Sequence, residues 1–356
     1  MSGQLLNSTQ RIDKICGVLV GTAMGDSLGL PAENLAPARI AARWGNPATW
    51  RQRFWFGYGA VSDDTEHTMI VATSLLEAGV NEERFLRVLG RKFRWWFAAL
   101  PAGVGWATMR ACCRLWIGIS PTRSGVFSAG NGPAVRSALF GVLGLTSELR
   151  YTLVAASTRM THSDPQALWA ALAIAEVAEL ECSDSCASDA TIVATIAQIS
   201  QDAQWQTVCR YLTYHLECGS SAHTFAAALG LARGVTGYAL HSVPVALFCW
   251  LRYRPNPEQA MSSALQLGGD TDSVGAMVGA LTGAALGRAG LPAHWLKIAD
   301  WPVSVAALDR VGAELGTSDL SVPNHRRWHF WPGQVGRNMV FLAVVLLHLV
   351  RRLWPW

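Results

Sequence analysis

Small and aliphatic residues recur along most of the chain at the three-to-four-residue spacing of a helix face, and strand-like alternation is scarce. The clearest stretches, 68–78, 167–180, 190–199 and 224–231, predict helices rich in Ala and Leu. Breaks with turn chemistry stand between such stretches: Gly45-Asn46-Pro47, Leu100-Pro101-Ala102-Gly103, Gly130-Asn131-Gly132-Pro133 and Arg254-Pro255-Asn256-Pro257. The pattern predicts a compact, single-domain, all-α fold over residues 15–315, with 316–356 as a C-terminal helical appendage.

Two predicted helices carry a second pattern. Gly17, Gly21, Gly25 and Gly29 recur every fourth residue, and so do Gly275, Gly279, Gly283 and Gly287. Each interior glycine gives up about 1 kcal/mol of helix propensity relative to alanine. Such a ladder makes sense where another backbone approaches the bare edge. Each ladder is therefore expected in a tight helix crossing, either with the other ladder or with a third helix.

Residues 339–350 form a nearly unbroken apolar run, bounded by Arg337 and Arg351-Arg352 and followed by Trp354 and Trp356. As a helix, these roughly twelve residues reach about 18 Å, against about 30 Å of bilayer hydrocarbon. Spanning is not expected. Two readings stand: a helix packed on the core or on another subunit, and a peripheral membrane contact with arginines and aromatics at the interface.

Composition narrows the class. With 356 residues, 51% of them hydrophobic, the chain can bury a substantial core. The net charge of +4 is small for this length, and the arginines are scattered, so nucleic acid is not the favoured partner. The eight cysteines form no C-x-x-C units and follow no leader-like run, which reads as reduced thiols in a cytoplasmic protein. Cys182 and Cys186 lack two further soft ligands and are read as incidental.

Only 15% of residues are charged, so two acidic clusters, Ser62-Asp63-Asp64-Thr65 and Asp270-Thr271-Asp272-Ser273, stand out. Each lies at a predicted helix start, the second after Gly268-Gly269, and either alone reads as a cap. Together they supply four carboxylates and two hydroxyls with no soft ligand beside them, an inventory suited to magnesium or manganese. Four carboxylates exceed the needs of one ion, and a two-metal site would use them as terminal and bridging ligands.

Five motifs in order, Gly17 to Gly21 with Gly25-Asp26-Ser27-Leu28-Gly29-Leu30-Pro31-Ala32-Glu33, Ser62-Asp63-Asp64-Thr65, Gly130-Asn131-Gly132, Thr161-His162-Ser163-Asp164-Pro165 and Gly268-Gly269-Asp270-Thr271-Asp272-Ser273, resemble the ADP-ribosylglycohydrolase family. The resemblance spans about residues 15–300 and implies an all-α fold with a dinuclear Mg²⁺ or Mn²⁺ centre in a cleft. It implies Ser62, Asp63, Asp64, Asp270, Asp272 and Ser273 as metal ligands, Ser273 standing where many relatives carry Thr. It also implies Glu33 as the gating or acid/base residue, with Asp64 and Asp270 joining it in catalysis. Ser128, Gly130, Asn131, Gly132 and His162 would bind substrate, and Gly105 would line it from another turn. Asp26, inside the first glycine-rich helix, is read as a buried hydrogen-bond partner.

The implied reaction is release of ADP-ribose from an ADP-ribosylated protein, most simply one modified on arginine. Serine-linked, nucleotide-linked and O-acyl ADP-ribose would use the same ligands. Two other classes stand beside it: a non-enzymatic, crystallin-like relative, which intact ligand sets argue against, and a two-metal phosphoesterase, which would commonly bring histidine ligands. Residues 316–356 lie outside the resemblance.

Overall fold

The computed structural model describes residues 7–45, 50–183, 187–254, 256–299, 301–324 and 332–353, with side chains in the last stretch described from 333 to 347. Its helices are α1 (Ser8–Gly29), α2 (Pro37–Trp44), α3 (Asp63–Ala78), α4 (Glu82–Ala98), α5 (Trp106–Trp116) and the short α6 (Gly132–Val135) and α7 (Ala138–Gly141). There follow α8 (Ser147–Thr161), α9 (Pro165–Cys182), α10 (Asp189–Ala197), α11 (Ala203–Glu217), α12 (Ala222–Ala228) and α13 (Ala239–Tyr253). The last four are α14 (Pro257–Leu265), α15 (Thr271–Leu286), α16 (Val305–Thr317) and α17 (Pro332–Leu353). Among the described residues, extended pairing is limited to isolated bridges, so the all-α expectation holds.

Polar caps set many helix starts. Side-chain oxygens of Asn7, Ser62, Asn81, Asp164 and Asp202 accept first-turn amides, each contact contributing about 1 kcal/mol. The predicted helix 224–231 ends earlier, at Ala228, because the chain turns at Gly230 with φ of 78°. Asn46, Pro47, Cys186, Pro255, Trp354 and Trp356 lie outside the described residues.

The centre of the molecule is the crossing of α1 with α15. By length and composition α1 would cross a membrane, yet 94% of its apolar window is buried in the protein. The two glycine ladders meet each other, running antiparallel. A Cβ on Gly17 would stand 2.4 Å from the Gly283 carbonyl oxygen, on Gly21 2.1 Å from that of Gly279, and on Gly25 1.8 Å from that of Gly275. On Gly29 it would stand 2.2 Å from the Thr271 oxygen. Every rung thus brings backbone onto backbone. Gly287 differs from the expected pattern: it is the C-cap of α15 at φ 71°, and a Cβ there would strike the Asp13 carboxylate. On another side of α1, Gly312 and Gly316 of α16 press against Cys16 and Ile12.

The apolar run near the C-terminus belongs to a 22-residue helix, α17, longer than the run because Gly333 to Asn338 continue it at the N-terminal side. Gln334, Asn338, Phe341 and Val344 are buried. Asn338 Nδ2 donates to the Ala99 carbonyl at 2.7 Å, and Phe341 stacks on Phe54 with ring centroids 5.1 Å apart. Arg337 donates to the Val61 carbonyl at 2.8 Å and stands 3.2 Å from the buried Glu66 carboxylate.

Candidate functional site

The α1–α15 crossing ends where the acidic site begins. Thr271 Oγ1 donates to the Gly29 carbonyl at 2.8 Å, tying the end of α1 to the start of α15. One tight turn, Leu30–Ala32, then delivers Glu33. Asn34, in the left-handed region at φ 60°, donates its amide to the Gly269 carbonyl at 2.7 Å and its side chain to Glu33 Oε1 at 3.1 Å. Gly269 itself has φ of 78°, and a Cβ there would lie 1.9 Å from the Val235 oxygen, so only glycine fits.

The start of α3 is pinned to α1 by Asp26. This fully buried carboxylate accepts from the amides of Ser62 and Thr65 and from Thr65 Oγ1. Burial pushes it up to about 7, with the Thr65 and Ser62 donors pulling the other way. Ser62 is the N-cap, its Oγ accepting from the Asp64 amide at 3.2 Å. Asp63 and Asp64 follow in the first turn.

Glu33, Asp63, Asp64, Asp270, Asp272 and Ser273 line one cleft of about 490 Å³. Gly105, Ser128, Gly130, Asn131, Gly132 and His162 line it too. Ser62 is not among the residues lining it, and its Oγ keeps a lone pair beyond the one that accepts from the Asp64 amide. Across the cleft, Ser273 Oγ donates to Asp64 Oδ2 at 2.8 Å, and Asn131 Nδ2 to Asp270 Oδ2 at 2.6 Å. Asp270 is the N-cap of α15, yet its side chain makes no cap bond and faces Asn131 instead. His162 lies over Gly130, where a Cβ would stand 2.8 Å from Nε2, and its Nδ1 meets Thr161 Oγ1 at 2.9 Å. Trp106 lines the cleft and is 78% exposed, whereas Trp96 is core and donates to Glu66.

The carboxylates are electrostatically crowded. Burial first, then neighbouring acids, holds Asp63, Asp64 and Asp272 well above the usual carboxylate range, and burial raises Asp270 against the Asn131 bond. Among the described residues, no Lys or Arg forms an ion pair with Asp64, Asp270 or Asp272. Nor do three Asp, Glu, His or Cys side chains among the described residues already converge as a coordination shell. The donor chemistry still suits a hard divalent cation: several acidic oxygens and one hydroxyl, mutually repelling, in a partly dry cleft.

Two residues essential to this setting are not legible from motifs. Arg136 is fully buried, donating to Ser157 and Thr161, and it acts on Asp64, His67 and His162 through the field. His67 lines the cleft 4.0 Å from Asp63, packed on Phe93 and Trp96, with neither ring nitrogen hydrogen-bonded among the described residues. Burial and Arg136 hold His67 well below its usual range and push His162 down to about 3, so both are neutral. Burial pushes the Cys112 thiol up to about 12 and those of Cys16 and Cys209 up to about 11, so these three keep their protons.

Comparison with known proteins agrees with this geometry. The chain is 23% identical over 313 residues to the ADP-ribosyl-[dinitrogen reductase] glycohydrolase of Rhodospirillum rubrum, covering 86% of this chain and 97% of the relative. It is 28% identical over 291 residues to an uncharacterized protein of Archaeoglobus fulgidus, covering 80% and 91%. A solved ADP-ribosylglycohydrolase-related protein complex superposes with a TM-score of 0.61 at 25% identity, covering 86% of this chain and 98% of that one. The ADP-ribosylglycohydrolase family model matches residues 7–318, and the chain belongs to that family.

Proposed function

We propose that this ADP-ribosylglycohydrolase-family protein is a divalent-metal-dependent hydrolase that frees ADP-ribose from a modified protein side chain, arginine first among the linkages. One observation carries the reading: the two acidic clusters share a single cleft with the Gly130-Asn131-Gly132 turn and His162. The preference for arginine is supported by charge, since acidic walls favour a departing guanidinium. A protein target is supported by the Rhodospirillum relative, whose name specifies ADP-ribosyl dinitrogen reductase.

Ser62, Asp63, Asp64, Asp270, Asp272 and Ser273 would hold two Mg²⁺ or Mn²⁺ ions, Ser62 through the lone pair that its cap bond leaves free. When bound, such ions supply Lewis acidity toward the distal ribose hydroxyls and toward water. The remaining work falls to the chain's own groups. Glu33, steadied by Asn34, takes a proton from the attacking water. The water oxygen bonds to the anomeric carbon as the bond to the side-chain nitrogen breaks, and the departing nitrogen takes up the proton. Asp64 and Asp270, oriented by Ser273 and Asn131, face the positive charge developing on the sugar. Gly130 leaves the backbone open to the diphosphate, and neutral His162 offers it a hydrogen bond rather than a charge. Trp106 at the cleft mouth is suited to stacking adenine. Proton-retaining buried thiols fit a reducing, cytoplasmic setting.

The test is release of ADP-ribose from arginine-modified protein with Mg²⁺ or Mn²⁺, alongside serine-linked and O-acyl substrates. Asp270→Ala is expected to lower turnover at least about a hundredfold, as loss of an electrostatic catalytic group does, and chelator to abolish it. Release of nothing from any linkage, or release indifferent to Asp270→Ala and chelator, would sink the assignment.

A further inference from the structure

The last helix is built inside out. A helix on a water-soluble surface turns apolar residues inward and polar ones outward. In α17 the inward side carries Gln334, Arg337 and Asn338 beside Phe341 and Val344. The outward side, from 333 to 347, consists of Gly, Ala and the large aliphatics Met339, Val340, Leu342, Leu346 and Leu347, with no polar residue. These five are 38% to 64% exposed. From Met339 to Leu347 these side chains extend about 12 Å along the helix, and a row of large exposed aliphatics with no polar break marks a contact surface.

Two neighbouring features show what that contact would be. Val344 and Leu347 share a concavity of about 810 Å³ with the turn Phe54–Gly57 and with Arg43, Arg51, Arg53 and Lys297, and among the described residues no Asp or Glu lines it. At the tip of that turn Phe56 is 89% exposed at φ 45°, followed by Gly57 at φ 86°. A bulky side chain in the left-handed region is rare, and here the strained residue holds an aromatic ring out into solvent. Trp55, half-exposed, packs edge-on against it.

We propose that the outer face of α17, the Phe56 turn and the rim of Arg43, Arg51 and Lys297 form one docking surface for a bilayer bearing anionic headgroups. Aliphatic and aromatic side chains enter the acyl boundary while the cations meet headgroup phosphates, the division of labour of interfacial helices. A second copy of the chain fits less well, since it would bring two cationic rims to one interface with no carboxylate in the described lining to pair them. An acidic peptide in the concavity would satisfy the arginines yet leave Met339, Val340, Leu342 and Leu346, which do not line it, in water.

The experiment is co-sedimentation of the full chain with phosphatidylcholine vesicles, with and without about 30% phosphatidylglycerol to set the surface charge. Binding is expected to favour the anionic vesicles and to weaken with salt. Leu342→Glu with Leu346→Glu should lower partition at least about tenfold, as charges placed in an apolar interface do. Arg43→Glu with Arg51→Glu should lower it about fivefold per site. Phe56→Ser, on a separate element, should weaken binding with an unchanged melting temperature. Equal partition onto both vesicle types, partition indifferent to these variants, or self-association or poly-glutamate binding in place of vesicle binding would each overturn the proposal.

Discussion

The first and last helices of this protein are each 22 residues long and largely apolar, yet they solve opposite problems. Helix α1 is buried on every side from Ile15 to Gly29, and it achieves this by omitting side chains where α15 arrives. Helix α17 keeps bulky aliphatics along its outer face and hands its polar groups to the core. Hydropathy alone does not separate the two. The glycine ladder does, because a bare ridge implies a matching backbone, whereas a ridge of Leu, Val and Met implies a partner that need not fit in register.

Gly279→Ala tests the first half of that contrast most severely. Its Cβ would stand 2.0 Å from the Gly21 carbonyl oxygen, where neither backbone can yield without moving a whole helix. A loss of about 4 kcal/mol or more is expected, read as a fall in the denaturant midpoint; a loss below 1 kcal/mol would mean that the crossing is looser than described. Next comes Arg337→Ala, which removes from Glu66 a cation on the inward face of α17. About 3 kcal/mol is expected for uncovering a buried carboxylate. Since Val61 O also loses its donor just ahead of Ser62, calorimetric Mg²⁺ or Mn²⁺ affinity should weaken with it, and Arg337→Lys should restore part of both. The mildest case is Gly336→Ala on the outer face of α17, where a Cβ meets nothing within 4 Å. Here stability should rise by about 0.5–1 kcal/mol from helix propensity; a loss would show that a protein partner covers this face.

What could be read in advance follows from the same contrast. The two ladders repeat glycine every fourth residue, and the two acidic clusters each gather two aspartates and two hydroxyls within four residues of a charge-poor chain; such patterns have a physical cause that needs no coordinates. Asn34, His67 and Arg136 repeat nothing. Their importance lies in a left-handed φ, a pair of ring nitrogens with no hydrogen bond among the described residues and a guanidinium buried near Asp64, and only the packed chain creates these. Ser62 fits both a cap and a ligand motif, and its Oγ serves the first while keeping a second lone pair for the other. In α17 Gln334, Arg337 and Asn338 stand just ahead of the apolar run from Met339, and their helical spacing marks one polar stripe. Periodicity identifies a stripe without telling which medium it will face.

The backbone contact between α1 and α15 has a consequence for motion. Side chains that interlock can change rotamer and let two helices slide, but carbonyl against Cα has no rotamer to change. The ends of these helices, where Glu33 and Asp270 to Ser273 emerge, should therefore move as one body on the timescale of turnover. Any opening and closing of the cleft must then come from its other walls: the turn at Gly103 to Gly105, the loop at Ser128 to Gly132, and α3, held to α1 through Asp26 and to α17 through Arg337. Amide hydrogen exchange would locate it there, with α1 and α15 among the last segments to exchange.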